Sequence, residues 1–162
     1  MTVPDGYNVT PVSALVGATA YDAPNYLAVP ITFAALTTGA VATHELFTVT
    51  GMVRMRIIAE CTADVAGTGS IQLGVEGATG SFIAVTAGTD IDAGDVWCDA
   101  TPAETNGDTT TLLLDKIVAG GLDVGYEITI GTLTGGAITF HCWWEQLNED
   151  GAVVAADGTG TL

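Results

Sequence analysis

The stretch AITFHCWWEQL, residues 137–147, decides the fold of this chain. Apolar and polar side chains alternate along it with a period of two residues. In a β-strand, such alternation sends successive side chains to opposite faces of the sheet. One face would carry Ile138, Phe140, Cys142 and Trp144, and the other Thr139, His141, Trp143 and Glu145. The stretch therefore predicts a strand with one face in a core and the other outside it.

The same alternation recurs in residues 52–61 and 70–76. In the first of these segments, Arg54 and Arg56 share the face opposite Val53, Met55 and Ile57. We predict eight or nine strands, separated by glycine turns at intervals of roughly 8–12 residues, a spacing typical of sandwiches and barrels. No segment shows a convincing helical pattern. The sequence thus predicts an all-β domain over residues 26–147, an antiparallel β-sandwich with jelly-roll-like topology.

Two of the predicted strands carry a more detailed expectation. Pro30 interrupts the segment 26–36 and lacks the N–H that a ladder needs, which predicts an edge position at that point. Residues 111–118 are apolar enough to indicate a strand buried on both faces.

The two ends of the chain differ from the body. Residues 1–25 contain Pro4, Pro11 and Pro24, which predicts an extended arm with little sheet pairing. We expect that arm to lie against its own domain or a neighbouring subunit. Residues 148–162 run from Asn-Glu-Asp-Gly into a Val/Ala/Gly/Thr tail, which predicts a flexible or partner-bound terminus.

The charge balance is strongly acidic in an otherwise apolar chain. Nineteen Asp and Glu face three Lys and Arg, for a net charge of −16, while 48% of the 162 residues are hydrophobic. Such a surface repels nucleic acid and anionic membranes, so we expect neither as a partner. The apolar surplus favours a homo-oligomer or a subunit of an assembly. The alternative is a harmless neutral surface of Gly, Ala and Thr.

The three cysteines, Cys61, Cys98 and Cys142, are far apart and form no C-x-x-C pair. We therefore expect reduced, buried thiols in a cytoplasmic product, and neither a zinc nor a redox site. The first residues show no secretory signal, and no segment has the length of a membrane span.

An acidic loop offers the one candidate metal site. Asp90, Asp92 and Asp95 lie within six residues of each other, and calcium needs several oxygen ligands from a flexible loop. The order departs from that of an EF-hand, and a solvated acidic turn is the favoured interpretation. His44 and His141 lack the spacing of a catalytic triad, so we predict no enzyme and no cofactor.

The aromatic and basic residues have two interpretations each. Trp97, Trp143 and Trp144 could form a sugar-stacking platform, but adjacent tryptophans on a strand point to opposite faces, and core or interface packing is favoured. Arg54 and Arg56 require anionic partners nearby, from an intrachain or an intersubunit carboxylate cluster.

Several segments resemble small structural proteins of tailed bacteriophages: residues 51–58 (GMVRMRII), 71–75 (IQLGV), 82–84 (FIA), 95–102 (DVWCDATP), 138–144 (ITFHCWW) and the turn 148–151. The resemblance covers roughly residues 45–155. It implies a capsid decoration (cement) protein on the outer capsid surface, a homotrimer whose arms clamp the major capsid protein of the same virus. The alternatives are a glycan-binding module of a tail or fibre, and a shell-forming capsid protein.

On this interpretation we expect the residues of the protein interfaces to come from the arm, from the segment 52–61 that holds both arginines, and from the segment 137–147. These candidates are Tyr7, Val12, Leu15, Val16, Tyr21, Arg54, Arg56 and Trp143.

Overall fold

The computed structural model describes residues 25–104 and 115–162, and within these ranges the chain forms eleven β-strands. The strands are β1 Asn25–Thr32, β2 Thr43–Thr50, β3 Met52–Gly67, β4 Ser70–Val75, β5 Ala78–Ala87, β6 Asp95–Trp97, β7 Ala103–Glu104, β8 Lys116–Ala119, β9 Val124–Thr129, β10 Leu133–Gln146 and β11 Ala152–Ala155. A 3₁₀ turn, Gly88–Asp90, is the one helical element in the same ranges. Those ranges hold no helix with the length and hydropathy that crossing a membrane requires.

The strands form two antiparallel sheets. The first has the order β1-β10-β3-β6-β7, with β8 also paired to β3, and the second has the order β11-β2-β9-β4-β5. The blocks β1-β10-β3-β6 and β2-β9-β4-β5 interlock as two Greek keys, which is the strand order of a jelly roll. The predicted antiparallel β-sandwich is confirmed, and the strand order is jelly-roll-like as expected.

The core lies between the two sheets and contains the inward residues of the stretches that predicted it. Phe140 on β10 is fully buried, and its ring lies 5.9 Å from the nearly parallel ring of Tyr126 on β9. The ring of Trp97 on β6 meets Phe140 edge-on at 6.4 Å. Because β9 belongs to the second sheet and β6 and β10 to the first, these rings join the two layers.

Strand β1 lies at the edge of the first sheet, as Pro30 predicted. It pairs with β10 on one side, where Pro30 stands opposite Thr139. The missing N–H of proline therefore interrupts no second ladder among the described strands.

Strand β8 departs from the prediction of burial on both faces. Val118 is buried, but Ile117 is 67% exposed. The strand lies beside β3 at the rim of the first sheet, and none of the described elements covers its outward face. The prediction is therefore wrong for the part of the segment that is described, since residues 111–114 lie outside the described ranges.

The C-terminal segment also differs from the predicted flexible or partner-bound tail. Strand β11 pairs with β2, and the side chain of Val153 is buried in the core. Further on, the N–H of Glu45 donates to the carbonyl of Gly160 at 2.9 Å. Residues of this small, apolar kind cannot build a core of their own, but they extend a sheet edge that already exists. The predicted N-terminal arm, residues 1–25, lies outside the described residues apart from Asn25, which begins β1.

Candidate binding face

The outward side of the first sheet brings together aromatic, basic and acidic side chains from four segments. Residues directly opposite each other in an antiparallel ladder share a face, and Trp143 lies opposite both Tyr26 and Arg56. One step along, Arg54 lies opposite Glu145 on β10 and Ile117 on β8. We call this surface the arginine face and define it by Tyr26, Arg54, Arg56, Ile58, Asp115, Ile117, His141, Trp143 and Glu145.

Both arginines are paired with carboxylates of the same chain. Arg56 makes two contacts with Asp115, from Nε at 2.9 Å and from Nη2 at 2.8 Å. Arg54 forms an ion pair with Glu145, and its Nε lies 4.0 Å from Asp115 Oδ2. The sequence predicted anionic partners from the same chain or from another subunit. Asp115 and Glu145 are partners from the same chain. The arginine side chains remain 47% and 45% exposed, so each pair adds little to stability and both guanidinium groups are accessible to a partner.

An aromatic cluster adjoins the arginines. The rings of Tyr26 and Trp143 lie 5.3 Å apart with a tilt of 44°, and the imidazole of His141 stacks against both. The Tyr26 hydroxyl lies 2.7 Å from His141 Nδ1, and His141 Nε2 lies 3.2 Å from a carboxylate oxygen of Glu60. A neutral imidazole satisfies both contacts when Tyr26 donates to Nδ1 and Nε2–H donates to Glu60. The two hydrogen bonds, from Tyr26 to His141 and from His141 to Glu60, hold the exposed tyrosine ring in place.

A depression of about 300 Å³ opens on the arginine face between the two arginines and Trp143. Arg54, Arg56, Asp115 and Glu145 supply hydrogen-bonding groups around it, while Trp143 and Ile58 supply apolar surface. Two arginines against two carboxylates leave this lining with no net charge, although the whole chain carries −16. Such a site suits a partner that combines an apolar anchor with polar groups around it.

No protein-family model, no curated protein and no solved structure matches this chain. Any function of the arginine face is therefore argued from the side chains that form it. Of the interface residues expected from the sequence, Arg54, Arg56 and Trp143 lie together on this face. Tyr7, Val12, Leu15, Val16 and Tyr21 lie outside the described residues.

The other two tryptophans pack against the core, although Trp144 also borders the depression. Trp97 is fully buried, and its indole N–H donates to Thr86 Oγ1 at 2.9 Å. Trp144 points away from Trp143 and packs against the core. Its Nε1 is buried with no hydrogen-bond partner among the described residues. The expected division of the Trp143–Trp144 pair between two faces is therefore what the structure shows.

The acidic loop uses its carboxylates to hold its own backbone. Asp95 is buried and accepts the N–H of Asp92 at 2.9 Å, and Asp64 accepts the N–H of Ala93 at 2.7 Å. Among the described residues, no group of three or more His, Cys, Asp or Glu is arranged to hold a metal ion. The structure thus does not bring Asp90, Asp92 and Asp95 together as calcium ligands, and the arrangement is that of a turn stabilised by Asp side chains.

The second histidine, His44, lies on β2 of the second sheet, whereas the arginine face belongs to the first. Its ring is buried, stacks on Tyr126 at 4.7 Å, and lies 3.0 Å from the carbonyl oxygens of Gly158 and Ala40. It thereby ties the C-terminal segment and the loop after β1 to β2. This is a structural role.

Two of the thiols are poor nucleophiles. Burial raises the pKa of Cys142 to about 12, and burial together with nearby carboxylates raises the pKa of Cys61 to about 11. Because the thiolate is the reactive form, both groups are inert at neutral pH.

Sequence reasoning missed the other six members of the face, which are Tyr26, Ile58, Asp115, Ile117, His141 and Glu145. Alternation along residues 137–147 did place His141, Trp143 and Glu145 on one face. The missing information was the register that sets Tyr26 and Arg56 on either side of Trp143, which depends on strand pairing across more than 80 residues of sequence.

Proposed function

We propose that this chain is a structural virion protein of a tailed bacteriophage. It binds the outside of the capsid as a decoration protein and contacts the major capsid protein through the arginine face. The observation that carries the proposal is the arginine face itself. It is an exposed, charge-balanced surface with an aromatic anchor, on a body whose net charge repels most acidic partners. Homo-oligomerisation, as a trimer, and the N-terminal arm would multiply the attachments to the shell.

Two further features support a protein partner. Tyr, Trp and Arg are the residues that dominate binding energy in protein interfaces, and the arginine face contains Tyr26, Trp143 and both arginines. Jelly-roll sandwiches also occur in viral capsid proteins, which is an analogy at the level of the fold alone.

Binding to empty expanded shells of the major capsid protein of the same virus tests the proposal. We expect Trp143→Ala and Arg56→Glu each to weaken binding by about 30-fold or more, since each removes a central anchor or reverses its charge. Val154→Ala serves as the control, because Val154 is 63% exposed but lies on β11 of the second sheet. Co-sedimentation of labelled protein with shells gives the affinities. Equal binding by the wild type and both face variants would refute the arginine face as the contact.

A glycan-binding function on the same face is the second candidate. The tilted pair of Tyr26 and Trp143 beside a hydrogen-bonding depression is an arrangement on which a sugar ring can stack. Jelly rolls are also found in lectins.

Tryptophan fluorescence separates the two candidates. If the face binds glycan, titration with malto-, cello- and chito-oligosaccharides should change the emission of the wild type, and Trp143→Phe should abolish most of the change. Trp97 is buried and would give a constant background, whereas Trp144 borders the depression and accounts for any change that remains in Trp143→Phe. A flat response to all three sugar series, with retained binding to shells, supports the decoration function instead.

A further inference from the structure

One end of the sandwich is built from three loops that hydrogen-bond to one another. The N–H of Leu133 donates to the carbonyl of Gly39 at 2.9 Å, and the N–H of Thr68 donates to that of Thr132 at 3.1 Å. We call this surface the loop end and define it by residues 33–42, 67–69 and 130–136. It lies at the opposite end of the β1–β10 ladder from Tyr26 and Trp143.

The loop end carries no charge in a chain whose net charge is −16. Residues 33–43, 65–75 and 128–140 contain no Asp, Glu, Lys or Arg. The loops and these strand segments are therefore neutral, and the carboxylates of Asp64 and Asp90 lie on segments that border them, Asp64 next to Gly136 and Asp90 in the turn that donates to Gly69. Nineteen carboxylates lie elsewhere in the sequence.

Three large apolar side chains project from the loop end into solvent. Leu36 is 94% exposed, Ile130 is 81% exposed and Val41 is 56% exposed. Val41 and Ile130 lie near a hydrogen bond between the loop after β1 and the end of β9, in which the N–H of Ile128 donates to the carbonyl of Ala42. Leu36 and Val41 share one loop, and Ile130 belongs to the segment hydrogen-bonded to it. Exposed apolar side chains that share one end of a domain mark an interaction site, whereas single ones scattered over a surface need no explanation.

Ile130 is also held in a costly backbone conformation. Its φ is +53°, and it is the one residue other than glycine with a positive φ in the described part of the chain. A β-branched side chain is strained there. Because the side chain is largely exposed, packing within the subunit does not offset the strain. A contact outside the subunit would give the isoleucine a role that glycine could not fill.

We infer that the loop end is the surface through which two or more copies of this chain associate, which deepens the proposed function by naming its self-association contact. The charge distribution selects a second copy as the occupant. Copies of net charge −16 repel each other, and the repulsion is weakest where the facing surfaces are neutral. Nucleic acid needs cations that the loop end lacks, and a basic protein would be drawn to the carboxylates elsewhere.

Sedimentation equilibrium of the full chain, without shells, tests this inference separately from the capsid function. We expect a concentration-dependent oligomer that tightens when salt is raised from about 0.05 to about 0.5 M, because salt screens the repulsion between acidic copies. Association through the pairs of the arginine face would instead weaken with salt. A weakening, or a monomer at all concentrations up to about 0.1 mM, would overturn the inference.

Two substitutions at Ile130 distinguish loss of contact from loss of fold. Ile130→Asp should weaken association at least about tenfold, whereas Val154→Asp, at an exposed valine on the second sheet, should have no such effect. Ile130→Gly should also weaken association while raising the Tm of the monomer, since glycine accepts the positive φ without strain. Unchanged association in both Ile130 variants contradicts the inference. So does a monomer that instead binds neutral phosphatidylcholine vesicles through the loop end.

Discussion

Replacing Phe140 by alanine is expected to lower the free energy of unfolding by about 3–5 kcal/mol. The side chain is fully buried, stacks on Tyr126 of the second sheet and meets Trp97 of the first. Alanine would remove the central ring of this aromatic contact between layers and leave a cavity that rigid strands on both sides cannot close. Urea denaturation followed by tryptophan fluorescence gives the free energy.

Two controls accompany this measurement. Phe140→Leu keeps most of the volume and should cost only about 1–2 kcal/mol. Tyr26→Ala removes an aromatic ring that is 51% exposed at a sheet edge, and should cost less than the alanine at position 140. If Phe140→Ala and Tyr26→Ala proved equally mild, the two sheets would not share the core described for them.

The folded protein is expected to lose stability steeply above about pH 9, by about 2 kcal/mol for each of two thiols at about pH 11. Burial raises the pKa of Cys61 from 9.0 to about 11 and that of Cys142 from 9.0 to about 12. The folded state therefore holds these protons more tightly than the unfolded chain does. Their contribution is complete below the pKa of the unfolded thiols and is lost as the pH rises through the folded-state values.

Urea denaturation at a series of pH values from 7 to about 11 measures this loss. The double variant Cys61→Ala, Cys142→Ala should be less stable at neutral pH, because both side chains are buried, yet its stability should fall less between pH 9 and 11. Burial also raises the pKa of Tyr126, so some decline should remain in the double variant and diminish further with Tyr126→Phe. Parallel curves for wild type and double variant would show that the two thiols are not the source.

The alternation of apolar and polar residues was sufficient to predict the β-architecture, because the face on which a strand side chain lies is a local property of the sequence. In β3 and β10 a side chain's face depends on the parity of its position, so the buried set in each strand could be read before any pairing was known. Pro30 was informative for the same reason, since a missing N–H limits the ladders on either side of a residue.

The misjudged segments are those whose burial depends on neighbours. Ile117 and Val118 are equally apolar, but the first faces solvent and the second faces the core, because β8 lies at the rim of the sheet. The segment after residue 147 has too little apolar surface to fold alone. It is ordered by the edge of β2 that receives β11 and by the carbonyl contact between Gly158 and His44.

The candidate surfaces show the same division. Arg54, Arg56 and Trp143 could be selected from the sequence because rare cations in an acidic chain and a tryptophan on an outward face are local signals. Their assembly with Tyr26 and Asp115 required a register across distant strands. The neutral segments of the loop end are visible in the sequence, but their convergence on one end depends on hydrogen bonds between loops.

By itself, the sequence determined an all-β sandwich of strongly acidic charge with an outward pair of arginines. Period, composition and charge are sums over short stretches, and no partner strand is needed to read them. The tertiary structure alone decided which ring lies beside which arginine, which apolar residues remain exposed, and where a charge-free surface forms. These properties depend on strand pairs and loop contacts between residues far apart in the chain, and no local pattern encodes such distances.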